Sequence, residues 1–251
     1  MQRAGWIGVM AVVLLLVPGV RAQAVDHAGW EGLLRRHVQN GLVDYQGVKQ
    51  EEAQLNQYLA SVQGVQVAQL PKDAQLAFWI NAYNACVFRG VLDHQPLKSV
   101  RDVKGFFDKL TYRVGGGSMV LNDMEKQARA FGDWRTHAAV NCASTSCPPL
   151  RAEAYLPERV EAQLAEQAAK WLADPQRGLR LDDKTLWVSK IFKWYARDFV
   201  ASGKTGATEM LLPVIRPYID PALAQRIEQG HPEVKFMDYD WTLNAQPNRA
   251  S

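Results

Sequence analysis

One short stretch of the chain, from His137 to Leu150, holds most of the side chains that could do chemistry. It contains a histidine, two of the three cysteines, an asparagine and three hydroxyl residues, and it ends after a double proline. A cysteine thiolate is a strong nucleophile, and an adjacent histidine can generate it by accepting the thiol proton. The residue types therefore indicate a thiol site in which Cys142 is the nucleophile and His137 is the base.

Such a site also needs groups that orient the imidazole and donate hydrogen bonds to a developing oxyanion. Asp240 or Asn81 could orient the ring of His137, and Asn81 or the backbone amides after Cys142 could serve the oxyanion. These supporting roles are assigned by elimination, because no spacing in the chain is diagnostic of them. The candidate catalytic residues are Cys142, His137, Asn81, Cys147 and Asp240.

Three other interpretations use the same residues. A disulfide between Cys142 and Cys147 would close a small loop, as is common in exported proteins, and would leave neither thiol free. A zinc ion could in principle bind His137 and the two cysteines, although their spacing departs from the usual ligand pairs and an oxidising compartment disfavours it. The segment from Ser144 to Pro148 could also be a turn that only ends a strand. We expect no metal and no cofactor.

The backbone that carries these residues limits which of them can meet. Residues 136–143 are apolar with little charge, a pattern that predicts a buried strand. Alternation along a strand puts His137 and Asn141 on one face and Cys142 on the other. A bulge near Asn141 must therefore break the alternation, or His137 serves Cys147, or the histidine and the cysteines do not cooperate.

The strongest predicted helix, Lys72 to about Leu92, follows Pro71 and is apolar on nearly every face, so it should run through the interior. Asn81 and Asn84 lie three residues apart on it, so two amides enter the core side by side. Buried amides need partners, and we expect a satisfied structural network rather than a set of groups that position a site. Cys86, on the same helix, is expected to be an inert buried thiol.

The remaining pattern is mainly helical, with a β-hairpin around residues 115–117 and a strand near the C-terminus. His27 and His37 are expected to be exposed helix residues. Further helices are predicted over about 52–62, 122–131, 156–173, 189–199, 207–218 and 222–229. The expected fold class is α+β: a helix-rich single domain whose buried central helix packs on a small antiparallel sheet that includes the strand at 136–143.

The first 24 residues differ from the rest. They combine a short positive start, an apolar run from Trp6 to Val17 and small residues at positions 22 and 24, a pattern typical of a cleaved signal peptide. Residues 25–251 would then form one globular domain in the periplasm or outside the cell. The 29 basic and 26 acidic residues nearly balance, so we expect no nucleic-acid partner. No later segment is long enough to span a membrane, and the expected ligand is an unknown small molecule or peptide.

Four blocks, in order, carry a resemblance to a known family. Residues 77–84, 137–150, 191–199 and 239–244 together resemble the domain-of-unknown-function family 547 (DUF547), over about residues 43–244. The family itself has no agreed activity. A looser similarity to papain-like and transglutaminase-like thiol enzymes implies an α+β fold and cysteine chemistry.

Two functions from different classes follow as hypotheses. The first is a cysteine-dependent hydrolase or acyl transferase that acts on amide bonds in the cell envelope, with Cys142, His137 and Asn81 in the roles given above. The second is a non-catalytic binding or structural domain in which a Cys142–Cys147 disulfide and the two asparagines form a rigid pocket. The state of the two thiols distinguishes these hypotheses.

Overall fold

The computed structural model describes residues 25–247. The predicted signal peptide, residues 1–24, lies outside this range. The described helices are α1 (Ala28–His37), α2 (Tyr45–Gln50), α3 (Glu52–Ser61), α4 (Lys72–Asp93), α5 (Leu121–Arg129), α6 (Thr136–Ala139), α7 (Val160–Leu172), α8 (Ile191–Trp194), α9 (Ala196–Phe199), α10 (Thr208–Ile215) and α11 (Pro221–Gly230). The described strands are β1 (Val38–Gln39), β2 (Leu42–Val43), β3 (Thr111–Val114), β4 (Gly117–Val120), β5 (Leu179–Asp182), β6 (Thr185–Val188) and β7 (Glu233–Phe236).

Helix α4 is the central element, as its sequence predicts. It begins directly after Pro71, which needs no N–H partner at that position, and Asp73 lies in the first turn beside the positive end of the helix dipole. From Ala74 to Leu92 nearly every side chain is buried, because the helix is apolar on all faces. Helices α2, α3, α5 and α7 pack around it.

The strands form three small sheets. Strands β3 and β4 make the predicted hairpin, which turns at Gly115 and Gly116; both have positive φ, as this type of turn requires. Strands β5 and β6 pair antiparallel, and β7 adds to β6 in parallel. The fold is therefore the predicted α+β class, with more helix than strand.

Buried apolar side chains form two clusters. The first surrounds α4 and includes the N-terminal helices and α5, whereas the second lies between α7, strands β5 and β6, and helices α8 to α11. Helix α6 touches both, since Ala138 belongs to the second cluster and Ala139 to the first. Residues that follow α6 are thus positioned by both halves of the core.

The predicted strand over residues 136–143 is wrong. Its first half is the single turn of α6, and the rest is irregular backbone, followed by an isolated bridge between Ser144 and Leu243. The turn forms because Asp133 accepts hydrogen bonds from the Arg135 amide and the Thr136 hydroxyl. A short apolar run does not by itself distinguish a buried strand from a buried helical turn.

Two histidines also differ from expectation. His27 and His37 are buried rather than exposed, with 4% and 8% of their surface accessible. The ring of His27 lies 2.9 Å from the Tyr58 hydroxyl, and that of His37 lies 3.1 Å from Glu51.

Within residues 25–247, no helix combines the length and the apolar character needed to cross a membrane.

Candidate active site

A cavity of about 280 Å³ opens where α4, α5, α6 and α8 meet the C-terminal segment. His137, Cys142 and Cys147 all line it, so the structure brings together three of the five candidate residues. The other two lie elsewhere, as described below.

The two cysteines share one hydrogen-bond network. The amide of Cys142 donates to the sulfur of Cys147 over 3.0 Å, and the Tyr239 hydroxyl donates to the same sulfur over 3.3 Å. The Tyr239 oxygen also lies 3.2 Å from the sulfur of Cys142 and accepts a hydrogen bond from Ser144. Both thiols are free. Two donors thus converge on Cys147, and the Ser144 hydroxyl oxygen lies 3.1 Å from the sulfur of Cys142.

This network decides which proton the pair loses first. Burial opposes ionisation of Cys147, but hydrogen bonds from the Cys142 thiol, the Tyr239 hydroxyl and the Cys142 amide lower its pKa to about 7. Burial and the neighbouring Cys147 sulfur raise the pKa of Cys142 well above the ordinary thiol value. The pair therefore loses one proton readily and holds the second tightly.

His137 has a carboxylate partner that was not predicted. Its Nε2 lies 2.8 Å from Oδ2 of Asp198, and Arg129 donates to that same oxygen over 2.7 Å. The hydrogen bond from His137, followed by the one from Arg129, outweighs burial and holds the pKa of Asp198 well below its usual range. An ionised carboxylate only accepts, so Nε2 carries a proton, and in the neutral ring Nδ1 carries the lone pair. Among residues 25–247, no group forms a hydrogen bond with Nδ1.

Packing fixes the orientation of this ring. The centroid of the His137 imidazole lies 4.4 Å from that of Tyr195 and 5.2 Å from that of Phe199. Both aromatic residues flank Asp198 in the segment around α9, so one short segment supplies the carboxylate and two ring contacts. A histidine held on its carboxylate side and free at Nδ1 is arranged to act as a base.

The irregular backbone after α6 places His137 and Cys142 on the same side, although alternation along a strand would separate them. After α6, Ala143 adopts φ 60°, a left-handed conformation that is unfavourable for alanine by roughly 1–2 kcal/mol. The side chain of Asn141 holds this turn, because its Oδ1 accepts from the Ala143 amide and its Nδ2 donates to the Pro148 carbonyl. Because residues 136–143 form no strand, there is no bulge near Asn141; this turn is what allows His137 and Cys142 to face one cavity.

The asparagines of α4 form the structural network expected of them. Asn84 donates to the Ala139 carbonyl over 3.0 Å and accepts from the Asn141 amide over 2.9 Å. Asn81 makes the equivalent pair of bonds to the backbone of Tyr155, and it is not among the residues that line the cavity. Asn84 therefore tethers the backbone of the site, whereas Asn81 tethers a different segment.

Asp240 does not orient the histidine. Its side chain is exposed and accepts a hydrogen bond from the Thr242 amide over 2.8 Å. Its backbone holds the loop after Cys142, since its carbonyl accepts from Thr145 and its amide donates to Ser146. The structure assigns the contact predicted for Asp240 or Asn81 to Asp198.

Within the described part of the chain, no three histidine, cysteine or acidic side chains are arranged to hold a metal ion.

Residues 67–172 match the model of a family described as protein of unknown function, DUF547. This segment of the chain is similar to DUF547. The match confirms the predicted family and contains α4, α5 and the stretch from His137 to Leu150. None of the curated proteins or solved structures compared with the chain matches it. The predicted similarity to papain-like and transglutaminase-like enzymes therefore has no support from these comparisons.

The cavity extends beyond the DUF547 segment. That segment supplies His137 and both cysteines, but Asp198 and Tyr239, which contact them, come from the chain that follows it. No signal in the sequence marked these two residues, although each lies in a block used for the family resemblance. Their roles depend on tertiary contacts that join residues 61 and 97 positions apart.

Proposed function

We propose that this protein is an exported, cysteine-dependent hydrolase or acyl transferase that acts on amide bonds in the cell envelope. One observation carries the proposal: a histidine bonded to a carboxylate and a pair of hydrogen-bonded thiols line the same cavity. A nucleophile, a base and a group that orients the base are the parts that thiol acyl transfer needs. Export and the cell-envelope substrate rest on the pattern of residues 1–24.

Cys142 is the proposed nucleophile because its side chain is the more accessible of the two. Cys142 is half-buried, whereas only 4% of Cys147 is accessible. The first proton leaves Cys147 for Nδ1 of His137. As Cys142 attacks, its own proton passes to the Cys147 sulfur. A thiolate that forms below the ordinary thiol pKa is available near neutral pH.

The covalent steps follow from these positions. The sulfur of Cys142 bonds to the amide carbonyl carbon, and the carbonyl electron pair moves to oxygen. When this oxyanion collapses, the C–N bond breaks and the leaving amine takes the proton from the His137 imidazolium. Water or a second amine then attacks the thioester carbonyl carbon, and His137 accepts its proton. The C–S bond breaks, the acyl product leaves, and His137 returns the proton to the sulfur, which restores the thiol.

The Tyr239 hydroxyl donates to the Cys147 sulfur before the attack and is the donor best placed to turn to the oxyanion once Cys147 carries a proton. It lies 3.2 Å from the attacking sulfur. Burial and the two cysteine sulfurs raise its pKa well above the ordinary phenol value, so it stays protonated and can donate.

Acyl trapping tests the proposal. We expect the mature protein, incubated with p-nitrophenyl acetate, to release a burst of nitrophenol and to carry the acetyl group on Cys142, as located by peptide mass spectrometry. His137→Ala should abolish the burst, and Cys86→Ser should retain it because Cys86 is fully buried in α4. Acetylation at other residues only, or a burst that persists without His137, would rule out the proposed nucleophile and base.

The second candidate is a non-catalytic binding or structural domain with a Cys142–Cys147 disulfide. It is favoured by the fact that both sulfurs contact the same Tyr239 hydroxyl, so they lie side by side. Thiol counting on the unreduced protein separates the candidates. One reactive thiol per chain after denaturation indicates the disulfide, whereas three indicate the dithiol that acyl transfer requires.

A further inference from the structure

The cavity continues beyond the thiols into a space with aromatic walls. Six aromatic side chains line it: Tyr83, Phe107, Trp194, Tyr195, Tyr239 and Trp241. Trp194 is one of two large apolar side chains in the described chain that are exposed, with 46% of its surface accessible. Its ring centroid lies 4.7 Å from that of Tyr239 and 5.9 Å from that of Trp241. An exposed tryptophan held against other rings at a cavity mouth is a surface on which a ligand can stack.

The charge of this space is negative. Glu125 lines the cavity, and its side chain is only 14% exposed. Its basic neighbour is Arg129, whose guanidinium lies 3.9 Å from the Glu125 carboxylate. That guanidinium already pairs with the Asp198 carboxylate at 2.7 Å and lies 4.5 Å from the centroid of the Tyr195 ring. Among the described residues that line the cavity there is no lysine or arginine. The carboxylate and the ionised cysteine pair therefore both favour a cation.

The outer aromatic surface already attracts one cation from the protein itself. The guanidinium of Arg101 lies 5.3 Å from the centroid of the Trp241 ring. This contact shows that the ring presents a face to a positive charge at a distance where cation–π attraction operates.

We propose that the aromatic part of the cavity binds an ammonium group of the substrate, with Glu125 as its counter-charge. The inference rests on the proposed function and names its substrate class: an amide whose acyl or amine portion carries an ammonium group. An anionic group would be repelled by Glu125 and the thiolate. A neutral polar group would need several hydrogen-bond partners, whereas aromatic faces and a carboxylate satisfy an ammonium directly.

The experiment compares two probes of the same shape in Cys142→Ala protein, so that binding is measured without the nucleophile. Choline carries a quaternary ammonium, and 3,3-dimethyl-1-butanol replaces its nitrogen with carbon. By titration calorimetry, we expect choline to bind at least about tenfold more tightly than the neutral probe, the ratio that a cation–π and charge contribution of about 1.4 kcal/mol gives. Equal affinities, or no choline binding at millimolar concentration, would overturn the inference.

Variants locate the site. Glu125→Gln and Trp194→Leu should each weaken choline binding about fivefold or more, because each removes one of the two attractions. Glu228→Gln is the matched control. Glu228 is an exposed acid on α11 that also pairs with an arginine, Arg216, at 2.7 Å. Unchanged choline affinity in Glu125→Gln would contradict the assignment. If choline binds but Cys142 is not acylated, the proposed function is wrong and this inference stands. If Cys142 is acylated but choline and the neutral probe bind equally, this inference is wrong and the proposed function stands.

Discussion

At the scale of single residues, the chemistry depends on how Cys142 and Cys147 share protons. The residue types predicted the two thiols and His137, because the stretch from His137 to Leu150 holds a histidine and two of the three cysteines. They did not predict Tyr239 or Asp198, whose side chains reach the thiols and the imidazole from distant parts of the chain. Acidic and tyrosine side chains are common, so only their position in the folded chain distinguishes these two.

Removing the Tyr239 hydroxyl should make the thiol pair harder to ionise. Tyr239→Phe deletes a donor to Cys147, so the pKa of that thiol should rise from about 7 toward its ordinary value of 9.0. The midpoint of the pH dependence of iodoacetamide labelling at the pair should shift upward by about one pH unit, since one hydrogen bond to a charged group contributes roughly 1.5–3 kcal/mol. Tyr218→Phe, in the other half of the core, should leave the midpoint unchanged. An unshifted midpoint in Tyr239→Phe would exclude this role.

At the scale of elements, α4 and the irregular segment after α6 act together. The apolar character of α4 predicted its burial, and the two asparagines predicted a buried polar network. The path of residues 140–147 could not be predicted, because it depends on Asn84, on the strained turn at Ala143 and on Asn141 as a brace. Local propensity favours a strand in this segment, and tertiary hydrogen bonds override it.

Two substitutions on α4 separate positioning from stability. Asn84→Ala and Asn81→Ala each leave one buried amide and one buried carbonyl without a partner, which should cost about 2–5 kcal/mol in the free energy of unfolding. Only Asn84→Ala should also slow acylation of Cys142, because Asn84 holds the backbone at Ala139 and Asn141. Urea unfolding and the p-nitrophenyl acetate burst measure the two effects. Equal loss of burst in both folded variants would contradict this division.

At the scale of the whole molecule, the cavity lies where two apolar clusters meet. Its thiols and base come from the DUF547 segment, and their contacts come from the chain beyond residue 172. Composition and periodicity predicted a helix-rich α+β domain. They could not predict that both halves of the core contribute to one site, since that depends on packing between segments far apart in the chain.

Burial of His27 should make the whole fold sensitive to acid. Burial, against smaller opposing effects of Asp26 and Glu158, lowers the pKa of His27 from 6.5 to about 4. Between these values the unfolded chain binds a proton that the folded chain excludes, so stability is highest above pH 6.5 and falls as the pH drops toward 4. The decrease in the free energy of unfolding that is due to His27 should reach roughly 3 kcal/mol.

Urea unfolding across that pH range, compared with His27→Gln, isolates the contribution of His27. The variant should lose less stability than the native protein between pH 6.5 and pH 4, because glutamine does not titrate. Parallel stability curves for the two proteins would show that His27 is not the group responsible.

The most direct test of the site is the rate at which each cysteine reacts with iodoacetamide near neutral pH, resolved by peptide mass spectrometry. We expect Cys142 to react at least about 100-fold faster than the fully buried Cys86. His137→Ala and Asp198→Asn should each slow the reaction of Cys142 at least about tenfold. Cys86 should stay slow in both variants, which shows that the fold is intact. A Cys142 rate that is the same in all three folded proteins would contradict the claim that the histidine and its carboxylate activate the thiol.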